Sequence, residues 1–196
     1  MCELVEKRAD VFGFDAGMNF IVGHSWVTKL KNSRDVAANY EFLDQPGGTF
    51  RSLIERLQFF DRQRWVGYVF VFLGGNDIDN AADTLAVNKV KDECDTFCNL
   101  LRLKFPGAKI IFSQVEERFE RGSLVPRDAY RRKANKFNKW LNAYGNKDSL
   151  FVLRGVHKFS QPVWYSFDGV HLNDAGVKKL AGSIAQFVKE DRLSQA

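Results

Sequence analysis

The chain has 196 residues, 45% hydrophobic and 14% aromatic, enough for one well-buried core and too few for two full-sized domains. Its 29 lysines and arginines against 24 acids leave a net charge of +5, which permits an acidic substrate or a nucleic acid as partner and demands neither. No run nears the roughly 18–20 apolar residues of a membrane helix, and the 3 cysteines lack Cys-x-x-Cys spacing, which speaks against a disulfide framework and a zinc site. Met1-Cys2-Glu3-Leu4-Val5 lacks the charged-then-apolar order of a signal peptide. The expectation is therefore a cytoplasmic chain forming a single domain over 1–196, with 1–15 and 190–196 loosely ordered, and needing no cofactor or metal.

In chain order, Met18-Asn19-Phe20-Ile21-Val22 is a short apolar run that stops at Gly23-His24-Ser25, after which Trp26, Val27 and Leu30 carry helical spacing. That reads as strand, turn, helix. A second strand is expected at 36–43, ended by Pro46-Gly47-Gly48, and Phe50, Leu53, Ile54 and Leu57 then mark a helix. Residues 68–73 are apolar at every position, as in a central parallel strand, and close on a compact polar loop, Gly74-Gly75-Asn76-Asp77. A long helix is expected at 84–105. Pro106-Gly107 then turns the chain into a buried strand at 109–113. Tyr130, Ala134, Phe137 and Leu141 share one helical face, 150–153 is a last strand, and Val177, Leu180, Ala181, Ile184 and Val188 define a final helix. Strands separated by helices, without hairpin signals, predict a three-layer α/β/α sandwich around a five-stranded parallel sheet, flavodoxin-like in its layering. The one long irregular stretch, 155–167, has the length of a functional loop.

Ligands of parallel sheets bind beyond the carboxyl ends of the strands. Four segments lie there: Gly23-His24-Ser25, Gly47-Gly48-Thr49, Gly74-Gly75-Asn76-Asp77 and Asp168-Gly169-Val170-His171. They supply a hydroxyl, small residues whose backbone N–H can approach a ligand, a side-chain amide, and a carboxylate and imidazole on one loop. Acyl transfer needs these groups. On that chemistry a neutral His171 takes the proton of Ser25 while Asp168 holds the imidazole tautomer. Taken singly, each has a plainer role: serine or aspartate as a helix cap, asparagine as a turn former.

The four segments occur in the order of the four sequence blocks of the SGNH (GDSL-like) hydrolases, and the chain resembles that family over nearly its whole length. Asn76 in Gly-Gly-Asn-Asp and the terminal Asp-Gly-Val-His-Leu-Asn are the most specific matches. The resemblance implies a carboxylic ester hydrolase with Ser25 as nucleophile, Asp168 and His171 completing the triad, and Ser25, a block-two glycine and Asn76 as oxyanion donors. Gly47 is preferred to Gly48 for the glycine. His24, Trp26, Gly48, Asp77 and Trp164 are expected as site neighbours. His24 departs from the family's usual Gly-Asp-Ser; it is either a hydrogen-bonded loop residue or a change in the geometry and pH response of the site.

Expected substrates are an ester-bearing small molecule, a lipid or an acetylated carbohydrate. Arg127, Arg131, Arg132, Lys133, Lys136 and Lys139 cluster on or beside one helix. A solvated face is the default reading, contact with nucleic acid or an anionic membrane the alternative. The chain also resembles esterases encoded by certain non-LTR retrotransposons, and the rival function is a binding module of the same fold that contacts RNA or DNA through this basic surface. Trp140 and Tyr144 either stack on bases or complete a core. Cys94 and Cys98 read as core. His157, Phe159, Trp164 and Tyr165 either wall an acyl pocket or pin their own loop.

Overall fold

The computed structural model describes residues 18–34, 39–60, 66–121, 126–148, 151–153 and 161–194. In chain order these form β1 (Met18–Gly23), α1 (Ser25–Lys31), β2 (Tyr40–Asp44), α2 (Phe50–Gln58), β3 (Val66–Phe72), α3 (Gly75–Asn80), α4 (Val87–Lys104), β4 (Lys109–Ser113), α5 (Asp128–Asp148), β5 (Phe151–Leu153), a 3₁₀ turn (Pro162–Trp164) and α6 (Asp174–Leu193). The strands make one sheet in the order β2-β1-β3-β4-β5, every pairing parallel, so the predicted α/β fold with a five-stranded parallel sheet is the observed one.

The layering follows from alternation along the strands. In β3 and just past it, Val69, Val71 and Leu73 pack into one core with Phe50, Leu53, Leu57, Phe97, Leu101, Phe137 and Leu141 from α2, α4 and α5. Tyr68, Phe70 and Phe72 face the other core, with Trp26, Val27, Leu30, Val177, Leu180 and Ile184 from α1 and α6. A strand covered on both faces must be apolar at successive positions, and β3 is. Cys94 and Cys98 are fully buried in the first core, and the stacked Trp140 and Tyr144 rings pack against it, which is the core reading of both pairs.

Several elements differ in detail from expectation, with β3 running from Val66 to Phe72 where 68–73 was expected. The second strand begins at Tyr40, with 35–38 outside the described residues. The helix expected from residue 84 starts at Val87, because the Asp83 carboxylate accepts the N–H groups of Leu85 and Ala86 at 2.7 and 2.8 Å in a turn ahead of it. The compact loop after β3 is a short helix, α3, entered through Gly74 in the left-handed region (φ 104°). Residues 1–15 and, within the long stretch 155–167, residues 155–160 with His157 and Phe159, lie outside the described residues. Among those described, no helix is long and apolar enough to cross a membrane.

The chain leaves β1 toward β2 on one side and returns to β3 on the other. The switch point therefore falls between the carboxyl ends of β1 and β3, where side-by-side strands send their connections apart and leave a crevice.

Candidate active site

Gly23 ends β1 beside Phe72 so closely that a Cβ would lie 2.1 Å from the Phe72 carbonyl oxygen. Only glycine fits there. His24 follows, its N–H donating to that same carbonyl at 3.1 Å, and its Nδ1 accepts the Trp26 N–H at 3.4 Å as the N-cap of α1. Ser25 is the first residue of α1, so its N–H stands outside the helix's own ladder. His24 is thus a hydrogen-bonded cap, and it lines the cavity with Ser25. Burial first, then the charges of Arg118 and His171, push its pKa from 6.5 down to about 3, so the ring is neutral.

After β2, Gly48 donates its N–H to Gln45 O at 2.8 Å, closing a turn, and Gly47 sits at its tip with φ 71° and lines the cavity. Thr49 begins α2 with a reciprocal cap: Ser52 N–H donates to Thr49 Oγ1 at 3.3 Å and Thr49 N–H to Ser52 Oγ at 2.9 Å. Asn76, on the first turn of α3, also lines the cavity. Its Nδ2 donates to Gly48 O at 3.0 Å, linking the second and third segments.

Asp168 and His171 share a loop before α6. His171 Nδ1 lies 2.6 Å from Asp168 Oδ2, while Asp168 Oδ1 accepts the N–H groups of Val170 and His171, both at 2.9 Å. Burial works to raise the Asp168 pKa, but those two N–H groups and the His171 ring outweigh it and hold the carboxyl down to about 2. Gly169 permits the tight turn: φ is 68°, and a Cβ would come within 2.6 Å of Phe119 O. The loop is tied to α1 by Trp26 Nε1, which donates to Val170 O at 3.1 Å, and by Lys29 Nζ, which donates to Leu172 O at 2.6 Å.

Ser25, Gly47, Asn76, His171, His24 and Trp26 thus line one cavity of about 370 Å³, with Asp168 behind His171. Three expected neighbours do not line it. Gly48 contributes its carbonyl to Asn76 from behind. Asp77 turns into the first core, where its Oδ1 accepts the Phe50 N–H at 3.0 Å and burial raises its pKa to about 7. Trp164 packs beneath Lys179, whose Nζ is 3.9 Å from the ring centroid. Tyr165 is buried edge-on against Trp26 and Phe119, pinning the loop.

Sequence reading passed over the segment after β4. Ser113, Gln114, Glu116, Glu117 and Arg118 all line the cavity, with Tyr130 of α5. Arg118 Nη2 donates to Asn76 Oδ1 at 2.9 Å, Nη1 pairs with Asp79 at 2.5 Å, and the guanidinium lies 4.9 Å from the Tyr130 ring centroid. The signal was available, since the carboxyl-end rule applies to β4 as to the other strands.

The basic face is less free than expected. Lys133 donates to Ala81 O at 2.6 Å and Lys136 to Thr84 O at 2.5 Å, both in the α3–α4 connection, and Arg127 pairs with Asp79 of α3 at 3.2 Å. Arg131, Arg132 and Lys139 are exposed.

Comparison with known proteins agrees with the fold. A GDSL-like lipase from Bacteroides thetaiotaomicron superposes with a TM-score of 0.71 at 14% identity, over 96% of this chain and 97% of that one. Phospholipase A1 from Streptomyces albidoflavus gives 0.61 at 14%, over 87% and 99%. A member of the lipolytic G-D-S-L family from Veillonella parvula gives 0.61 at 18%, over 87% and 97%. No curated protein sequence matches the chain. The model of the GDSL-like Lipase/Acylhydrolase family matches residues 14–179, and the chain belongs to that family, whose members are generally ester hydrolases.

Proposed function

We propose that this chain is a serine esterase acting on short acyl esters through an acyl-enzyme. The observation that carries the reading is the convergence of Ser25, Gly47, Asn76 and His171, from four separate segments, on one cavity with Asp168 at 2.6 Å behind His171. With the Nδ1 proton facing Asp168, His171 keeps Nε2 free as the base. Ser25 Oγ attacks the ester carbonyl as His171 takes its proton. The oxyanion is met by the N–H groups of Ser25 and Gly47 and one N–H of Asn76. Collapse then expels the alcohol, protonated by His171, and water attacks the acyl-serine by the same route in reverse. The depressed Asp168 pKa keeps its carboxylate charged through the neutral range, where it stabilises the imidazolium formed in each step.

The small cavity favours a short acyl group. Its walls mix Trp26, Phe72, Leu73 and Val115 with Ser113, Gln114 and Arg118, unlike the continuous apolar channel a long chain requires. The test is fluorophosphonate labelling with peptide mapping, followed by an aryl ester series from acetate to palmitate. Labelling at Ser25 is expected, lost in Ser25→Ala, with turnover falling as the chain lengthens. Loss of the Asn76 donor should cost about 10²–10³ in kcat, and loss of Ser25 more. A Ser25→Ala protein that hydrolyses the acetate ester as fast as the parent would overturn the reading.

A further inference from the structure

We infer that Arg118 is a positioning residue for Asn76: its guanidinium holds the carboxamide with Nδ2 toward the Ser25 cavity and strengthens the N–H offered there. The inference rests on the proposed role of Asn76 as oxyanion donor. A carboxamide is nearly symmetric in shape, and an orientation that presents Oδ1 to an oxyanion repels it. Two contacts select the useful orientation from opposite ends, Gly48 O accepting from Nδ2 at 3.0 Å and Arg118 Nη2 donating to Oδ1 at 2.9 Å. Nδ2 carries two hydrogens, so one remains for the cavity. The bond to Oδ1 is charge-assisted. It draws electron density toward oxygen and leaves the remaining N–H a better donor.

Arg118 is suited to this because it is itself held. Its side chain is 10% exposed, its other nitrogen is paired with Asp79, and its face lies on Tyr130. Asp79 and Asn76 are three residues apart, so one turn of α3 carries both groups that the guanidinium bridges. The ring at position 24 is neutral: burial first, and then the Arg118 charge, lower its pKa. An acid there would compete with Asn76 Oδ1 for the same charge. A cation behind the amide is also a fixed positive potential near the place where negative charge develops.

The test compares Arg118→Met and Arg118→Lys with the parent, each also in an Asn76→Ala background, using the full chain and an aryl acetate. Arg118→Met should lower kcat by about 10–100-fold, a part of the loss from removing one oxyanion donor outright, with KM changed less than about twofold. In the Asn76→Ala background the same change should cost less than about twofold, because the group it serves is gone. Arg118→Lys keeps the charge, but one ammonium cannot bridge Asp79 and Asn76. It should lose kcat to a lesser degree with the same non-additivity, and it stands in if the Met variant fails to fold. Equal losses in both backgrounds, a loss carried by KM, or parental kcat in the Lys variant overturns the proposal in favour of a purely structural clasp. If the parent is neither labelled at Ser25 nor active, the esterase reading fails on its own. The clasp is then decided by the Asn76 side-chain NH₂ signals in a ¹⁵N-correlated NMR spectrum. They should be resolved and slowly exchanging in the parent and move to free-amide positions in the Arg118 variant; unchanged signals overturn it.

Discussion

His24 caps α1 through Nδ1, is half-buried at the cavity wall, and feels the charges of two cationic or potentially cationic neighbours, Arg118 and His171. An unfolded histidine takes up a proton near 6.5, while this one resists protonation to about 3. The unfolded state therefore binds more protons throughout that window, and the contribution of His24 is complete above 6.5 and falls as the pH drops toward 3. At pH 5 the loss relative to pH 8 should be about 2 kcal/mol. Asparagine at 24 caps without titrating, so His24→Asn should flatten this part of the pH dependence of urea unfolding between pH 8 and 5. An unchanged slope would mean the ring is not the titrating group. Neighbouring residues also show why residue identity underdetermines role: Asn76 and Asp77 both looked like site residues, yet a rotation of one helical position sends Asn76 to the cavity and Asp77 into the core against Phe50 N–H.

At the scale of elements, the Asp168–His171 loop is positioned by the helix after it. Asn173 caps α6 by accepting the Gly176 N–H at 2.9 Å, and its Nδ2 donates back to Val163 O at 2.8 Å and Tyr165 O at 3.1 Å. One side chain thus ties both ends of the loop to the helix. Asn173→Ala should lower stability by about 1–2 kcal/mol in urea unfolding, a cap's worth. It should also reduce kcat, since His171 is two residues away. A stable but fully active variant would show that the loop is held by its other contacts, Trp26 and Lys29. Elements covered on both faces were legible in the sequence, β3 and β4 most plainly, because burial on two sides leaves an uninterrupted apolar run. Short ones were not. The six residues of α3 carry too little periodicity to announce a helix, and its start depends on the left-handed Gly74.

For the whole molecule, the central constraint is how closely β1 and β3 run at the switch point. Gly23→Ala places a Cβ 2.1 Å from Phe72 O and 2.8 Å from its carbonyl carbon, both backbone, so the strands must separate. A loss of about 3 kcal/mol or more is expected. Gly67→Ala in the same sheet meets nothing within 4 Å and is the control. Equal thermal unfolding of the two variants would refute the close-approach argument. The sequence by itself determined the layer architecture and four segments of the candidate site, because burial on two faces and the residues that end strands are both local in the chain. Only the tertiary structure decided the strand order, the pairing of Lys133 and Lys136 with carbonyls of the α3–α4 connection, the inward turn of Asp77, and the place of Arg118 behind Asn76. These depend on contacts between residues far apart in the chain, and no spacing along the sequence encodes them. Ser25 and His171 stand in the same position: their residue types announced a chemistry, and the crevice between β1 and β3 is what brings them to one cavity.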